Sequence, residues 1–586
     1  MKTKIIFLLL TLLWSLPLVA DITDFDYQTL TSFEFVITEP KTIVVAPRSI
    51  DQTLWQMAKA GQFKTLNTLD RIVSAANIVY RDNKVAITMW IDESKTINAW
   101  ENIINNTGGE ITAQQGHRLL ARVPLSALEQ LAMQAGLNYA EPQVMYSPMG
   151  LSGKVISEGV KATAVKRLHT KNFTGKGVKV GILDFGFAGY QALVAAGELP
   201  APVATKAFNG QTRVDTDEAH GTACAEIIHD MAPDASLYFA AVTGATDEIW
   251  RATHWLMEQG VDIINFSGGG HNDAHNGNSL LDQMVNEVAR RHGVLWINAA
   301  GNEGETHWLG KVLDNNQNQR IDIPGTEGTD VILLKSQGQD FRIIVNWDDW
   351  HDDSQRASAR IDVDAYLFSL DPKTGTTIPV AQSNVLQQGR TRPIETILQR
   401  SQAGQYYGLI LLAKSIPSHV KLHVFVEGAQ IKPSTAMGSM SIPATAAEAV
   451  AVGAVDVRSG KLESFSSQGP TDDGRIKPEL SAPDHTRSVT YRGIRDDHRF
   501  AGTSAAASHV AGYAALLKQM QPSASPPQLK KLLIRAVRSM ADSVPNNQSG
   551  YGHIDASEVP LVNPVGTTRP HGASDFLNPI REALGL

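Results

Sequence analysis

The chain has 586 residues, enough for three or four domains at roughly 150 residues each. Its formal net charge of −8 is too weakly acidic to imply a charged partner and excludes the strong basic field of a nucleic-acid binder. A content of 42% hydrophobic and 19% charged residues excludes wholesale disorder, and the single cysteine, Cys224, excludes an intramolecular disulfide or a metal site built on several thiolates.

Lys2 and Lys4 precede an apolar run from Ile5 to Trp14, followed by Ser15–Ala20 and a polar, acidic Asp21–Asp24. This pattern describes a secretory signal peptide, residues 1–20, cut near Ala20. The run is shorter than the about 20 apolar residues of a membrane span, although an uncleaved anchor is the alternative. The expectation is an exported chain, secreted or periplasmic, with no transmembrane segment once mature. A lone thiol agrees with an oxidising compartment.

About sixty residues of no clear character follow. From 84 to 143 the pattern becomes regular: a strand at Lys84–Ile91, a helix at Ser94–Ile104, a strand pair at Gly109–Gln115 and His117–Val123, a helix opening at Pro124 and a short strand at Leu137–Ala140. That order is β-α-β-β-α-β, a ferredoxin-like α+β module. From Gly177 short apolar strands alternate with helices. Val178–Leu183, Leu237–Val242, Ile263–Phe266 and Val294–Asn298 are the strands, with helices at Thr222–Met231 and Leu280–His292. The fold class is therefore α/β with a parallel sheet, whose chemistry belongs at the carboxyl ends of its strands. Residues 311–437 break the alternation. Phe341–Trp347, Ala365–Phe368, Tyr406–Leu412 and Val420–Val426, separated by turn residues, predict an inserted all-β sandwich. Apolar strands resume at Ala449–Val455, and the tail 561–586 is loop-like.

Four short segments carry the candidate chemistry. They are an aspartate at a strand exit (GILDFG, Asp184), a histidine entering an apolar helix (HGTACA, His220), a strand ending in a small-residue loop (NAAGNEG, Asn302) and a serine opening an alanine-rich helix (GTSAAASHVAG, Ser504). Each alone is ordinary: a cap, a structural histidine, a turn, an N-cap. Together they supply what acyl transfer needs, a hydroxyl nucleophile, a base, a carboxylate to orient it and oxyanion donors. In that chain order the four segments resemble those of subtilisin-like serine proteases. The resemblance covers about 160–310 and 438–557, including Gly550–Ala556.

The resemblance implies roles position by position. Ser504 is the expected nucleophile, His220 the general base and then acid, Asp184 its orienting carboxylate, and Asn302 the side-chain oxyanion donor beside the Ser504 N–H. Ser267, Gly268 and Gly269 resemble the edge to which an extended peptide adds as a strand. Gly268 and Gly269 lack side chains, which is expected to admit the substrate backbone. Ala299, Ala300 and Gly301 resemble the opposite wall of a roomy primary pocket.

Two positions depart from the family pattern: Phe185 stands where serine or threonine is usual, and Ser508 where proline is usual. Neither removes a reacting group. Cys224 occupies a place where some thiol-sensitive members carry a thiol, its plainer reading being a small buried apolar residue.

The same resemblance implies that residues 21–150 are a pro-region, an intramolecular inhibitor built on the ferredoxin-like module and cut between 144 and 157. The catalytic domain is then 151–310 with 438–560. The sandwich resembles those appended to secreted bacterial peptidases. Its cluster Asp348, Asp349, Asp352 and Asp353 offers oxygens that suit calcium, although a solvated acidic loop is the plainer reading. No cofactor is otherwise expected, and the partners are protein or peptide substrates. Two rival readings exist, a catalytically idle relative that binds proteins, and a serine–glutamate–aspartate peptidase. All four reacting residues are present, against the first; Asn302 stands where the second has a carboxylate.

Overall fold

The computed structural model describes most of residues 27–560. The longer stretches outside description are 38–45, 63–71, 149–155, 351–358, 414–419 and 491–498, with both ends, 1–26 and 561–586. The expected signal peptide and the C-terminal tail therefore lie outside the described residues.

The strand Lys179–Asp184 shows why the central sheet forms. Val180 and Ile182 point into one apolar core, and Leu183 into the core on the opposite face. Both faces are dry, so the run is continuously apolar rather than alternating. Gly181 lets a helix approach, since a Cβ there would lie 2.8 Å from Leu256. This strand sits within a nine-stranded sheet. Its order is Val537–Arg538, His553–Ile554, Leu480–Asp484, Val450–Asp456, Leu295–Ala299, Ile263–Phe266, Lys179–Asp184, Ser236–Ala241 and Ala204–Ala207. All neighbours run parallel except the first pair. The α/β class is thus observed directly.

Helices cover both faces. His220–Met231 and Thr503–Met520 pack on one side, and Thr246–Glu258 and Leu280–His292 on the other. The last starts at a capping box between Ser279 and Asp282 and stops at Gly293 in the left-handed region. No helix among the described residues is long and apolar enough to cross a membrane.

Residues 80–142 form an antiparallel sheet in the order Leu137–Pro142, Lys84–Ile91, Arg118–Pro124, Glu110–Gln115. Helices Ile97–Asn106 and Leu128–Ala132 connect its strands. The segment before it, featureless in the sequence, contains the helix Gln52–Gln62, whose Leu54 and Met57 enter the same core. Further upstream, Tyr27, Leu30 and Phe33 pack against Val331, Leu333, Tyr366 and Phe368.

Those last partners belong to a second all-β unit of two antiparallel sheets. One contains His307–Lys311, Lys421–Glu427, Phe341–Trp347 and Ile394–Gln399. The other contains Thr376–Ser383, Val363–Asp371, Tyr406–Ala413, Ile332–Ser336 and Ala429–Lys432. Ile343, Val345, Leu367, Leu409 and Val424 fill one core between them. The unit begins at His307, earlier than the 311 read from sequence. Thr376–Ser383 escaped the sequence reading because it is an edge strand with no buried residue and a proline inside it. Asp349, read as part of a solvated loop, is buried and accepts the N–H groups of Arg360 and Ile361, both at 2.6 Å. Asp352 and Asp353 lie outside the described residues.

The histidine helix and the serine helix touch at Gly512, where a Cβ would lie 2.4 Å from the Met231 Cβ. Gly512→Ala therefore forces the two helices apart and is expected to destabilise the chain by about 1–3 kcal/mol. Denaturant unfolding checks this: the midpoint falls with an unchanged slope.

Candidate active site

Three elements bring the expected residues together. Asp184 ends the strand Lys179–Asp184, His220 opens the helix His220–Met231, and Ser504 stands in the first turn of Thr503–Met520. His220 Nδ1 lies 2.8 and 3.0 Å from the two Asp184 oxygens, and its Nε2 lies 3.1 Å from Ser504 Oγ. All three side chains are buried. Asp184 is itself held, because its Oδ1 accepts the Phe185 N–H at 2.8 Å.

Burial alone disfavours an imidazolium here. The Asp184 charge, joined by Cys224 and the Asp184 hydrogen bond, outweighs it and raises the His220 pKa well above its ordinary 6.5. The hydrogen bonds of Ser504 fit either protonation state. With a charged ring, Nε2–H donates to Oγ, and the hydroxyl donates to the Ser267 carbonyl at 3.2 Å. With a neutral ring, the hydroxyl donates to Nε2 instead. Cys224 Sγ is buried 4.0 Å from His220 Nδ1, one helical turn along.

Asn302 is oriented by a residue that the motif reading passed over. Thr503 donates both its backbone N–H and its hydroxyl to Asn302 Oδ1, each at 3.0 Å. Its hydroxyl also accepts the Gly301 N–H at 3.2 Å. The amide oxygen is thus committed to the serine helix, which fixes the flip of the side chain. Thr503 lies inside the same motif as Ser504, so its polar side chain beside the nucleophile was the available signal. Ser508, in the place of the usual proline, donates to the Ser504 carbonyl at 2.9 Å.

Ser267, Gly268 and Gly269 follow the strand Ile263–Phe266. The sequence reading gave the glycines to the substrate; the structure gives them a packing reason first. A Cβ on Gly268 would lie 2.7 Å from the Phe185 ring, and one on Gly269 would lie 2.6 Å from Ser441 Oγ. Phe185 therefore fills space beneath Gly268, edge-on to His220 at 6.5 Å between centroids. The outer edge of the glycine pair is taken up by the chain itself, since Gly268 and Gly269 pair antiparallel with Pro148 and Ser147. Ala299 and Ala300 are fully buried, their carbonyls accepting the Ser441 hydroxyl at 3.4 and 3.1 Å. Gly301 has φ +117, and a Cβ on it would lie 2.5 Å from Glu303 Oε2. The carboxylate behind this wall, Glu303, accepts from Ser467 at 3.1 Å and lies 3.4 Å from His271 Nε2.

Residues 175–343 and 410–552 match the model of the subtilase family. The chain belongs to the subtilase family. The aligned part of Bacillopeptidase F from Bacillus subtilis is 38% identical over 123 residues, covering 20% of this chain and 8% of that protein. The minor extracellular protease Vpr from the same organism is 23% identical over 433 residues, covering 65% of this chain and 51% of its own length. The chain thus spans about half or less of these two relatives. The structure of the Clostridium perfringens CspB protease shares the fold, with a TM-score of 0.50 and 18% identity over 68% of this chain and 96% of that one. In this subtilase Asp184, His220 and Ser504 are joined by hydrogen bonds, and Asn302 is bonded to Thr503, the neighbour of Ser504.

The His220 ring should titrate above 6.5, because Asp184 stabilises its charged form. Asp184→Asn removes that charge while burial remains, so the ring is expected to titrate lower than in the parent protein. NMR titration of the imidazole in both proteins measures the difference.

Proposed function

We propose that this subtilase is a serine endopeptidase, exported and made as a proenzyme. The observation that carries the reading is the continuous line of hydrogen bonds from Asp184 through His220 to Ser504, with Asn302 fixed beside the nucleophile. A neutral His220 takes the Ser504 proton as Oγ attacks the peptide carbonyl. Asp184 then stabilises the imidazolium, and the Asn302 amide and Ser504 N–H receive the oxyanion. Collapse transfers the proton to the leaving amine and leaves an acyl-enzyme. Water, activated by the same imidazole, releases the acid and restores the serine.

The substrate adds as a strand along Ser267–Gly269, with Ala299, Ala300 and Gly301 as the facing wall of the primary pocket. The pairing of Ser147–Pro148 with Gly268–Gly269 supports residues 21–150 as a pro-region whose last strand occupies this edge. Arg122 and Arg81 add ion pairs to Asp247 and Glu248 at the N-terminal turn of Thr246–Glu258, at 3.1 and 3.3 Å. The all-β unit supports docking as an inserted sandwich. Its largely covered Arg392 lies 3.9 Å from Glu141 and donates to the Asn272 carbonyl at 3.2 Å. The basic start, the apolar run and the extracellular relative Vpr support export.

A serine-directed fluorophosphonate is expected to label the processed chain and not Ser504→Ala, which should also remain uncut between 144 and 157. Asn302→Ala is expected to lower kcat by roughly 10²–10³. Labelling that survives Ser504→Ala would sink the proposal.

The pro-region contact has a pH sign of its own. Burial raises the Glu141 pKa to about 8, against the opposing Arg392 charge and helped by Asp273 and Asp51. Exposed after release, Glu141 returns towards its ordinary 4.5. The docked form therefore holds an extra proton between these limits, and docking weakens as pH rises through them. Size-exclusion chromatography of processed protein should show the pro-region retained at pH 5 and shed at pH 8.

A further inference from the structure

In the all-β unit, the sheet that contains Val363–Asp371, Tyr406–Ala413 and Ile332–Ser336 is apolar on both faces. Ile332, Leu334, Leu367, Leu409 and Leu411 fill the core between the two sheets. The residues that alternate with them, Leu333, Tyr366, Phe368 and Ile410, point the other way and are buried as well. An antiparallel sheet with one face on its own core commonly turns a polar face to water. Here the inner face already completes the core, so the apolar outer face needs a separate partner.

That partner is the N-terminal segment. Tyr27, Leu30 and Phe33 are buried against the face, and Phe35 and Ile37 pack beside them, while Glu34 and Val36 are exposed. From Phe33 onwards the side chains alternate as in an extended chain. Phe35 stands edge-on to Phe368, with 5.1 Å between ring centroids. It also lies over Gly408, where a Cβ would come 3.4 Å from its ring. The Thr377 hydroxyl donates to the Glu34 carbonyl, and the Tyr27 hydroxyl to the Lys432 carbonyl. Cations rim the contact: Arg320 lies 5.4 Å from the Phe35 ring, Lys432 5.6 Å from Tyr27 and Lys335 5.1 Å from Tyr406. Residues 21–37 are complementary in charge, with Asp21, Asp24, Asp26 and Glu34 and no lysine or arginine.

We propose that this outer face is a docking site for an extended acidic peptide carrying aromatic residues. In the uncut chain residues 27–37 fill it. Once they leave, it takes a substrate segment of the same chemistry. That second part rests on the proenzyme reading, in which residues 27–37 lie on the N-terminal side of the cut and depart with the pro-region. The vacated face then presents Leu333, Tyr366, Phe368 and Ile410 inside a cationic rim. It is separate from the Gly268–Gly269 edge, so one substrate is held at two places, and the second contact forms at high effective concentration.

The test titrates a fluorescent synthetic peptide of residues 21–37 into full chains carrying Ser504→Ala, which need neither activity nor processing, and reads anisotropy. The Ser504→Ala parent is expected to show no saturable binding, because its own segment holds the face. Adding Phe33→Ser and Phe35→Ser to that chain detaches the segment, and one equivalent of peptide should then bind. The same two changes made in the peptide should weaken binding at least tenfold, and added salt should weaken it further. Circular dichroism shows whether the detached chain folds; if it does not, Leu30→Ser takes its place. No saturable binding to the detached chain, or equal binding to the parent, would overturn the site. Processed wild-type chain at pH 8 tests the second part. It should bind the peptide as the detached chain does, and a peptide substrate extended by residues 21–37 should show a lower KM at unchanged kcat. A chain that has shed its pro-region yet binds no peptide overturns that part. A wild-type chain that is never cut overturns the proenzyme reading and the second part with it, and leaves the docking site standing.

Discussion

The close contact between the histidine helix and the serine helix is the constraint on which the site depends. His220 and Ser504 belong to segments 284 residues apart, yet a useful proton transfer requires their side chains to meet at 3.1 Å. Ala505, Ala506, Ala507, Ala511 and Gly512 supply a surface with almost no side-chain bulk, all of it buried. Small residues allow the axes to approach, and the packed interior tolerates little drift once they have done so. Asp184 is set by an independent element, the central strand, so the line of three residues is rigid at both ends.

Around that centre, buried charge joins the units. Arg392 of the all-β unit is enclosed by Glu141 and Asp51 from the N-terminal part and by Asp273 from the α/β unit, whose charges raise its pKa against burial. Burial pushes Glu141 up to about 8, and one cation shared among three carboxyl groups does not offset it. A second junction is built of stacked rings. His271, His275, His307 and His423 gather on Phe425, with His271 stacked on its ring at 3.8 Å. Burial first, then neighbouring imidazoles, push His275 down to about 3. A neutral ring can stack where an imidazolium would be desolvated and repelled.

Much of the site was legible because its motifs are local. A strand end, a helix start and a small-residue loop each have a short sequence signature, and their order added the rest. What stayed hidden was relational. Thr503 orients Asn302 across 201 positions; its place in the serine motif marked it, but no local pattern names its distant partner. Gly268 read as an opening for substrate, whereas Phe185, a departure from the family pattern, fills the space on its inner side. The helix Gln52–Gln62 went unread within a segment of no clear character, and the edge strand Thr376–Ser383 lacked the alternation that burial imposes.

The sequence by itself determined the elements that carry Asp184, His220, Asn302 and Ser504, because those elements follow from apolar periodicity and from residues next to one another; the family was legible only through the resemblance of their motifs. Tertiary structure decided the distances among them and the protonation preference of His220. It also decided the occupancy of the Gly268–Gly269 edge by Ser147–Pro148. Each of these depends on what packs against a residue from a distant part of the chain. Burial and charge act through space, and their neighbours are fixed only when the chain has closed on itself.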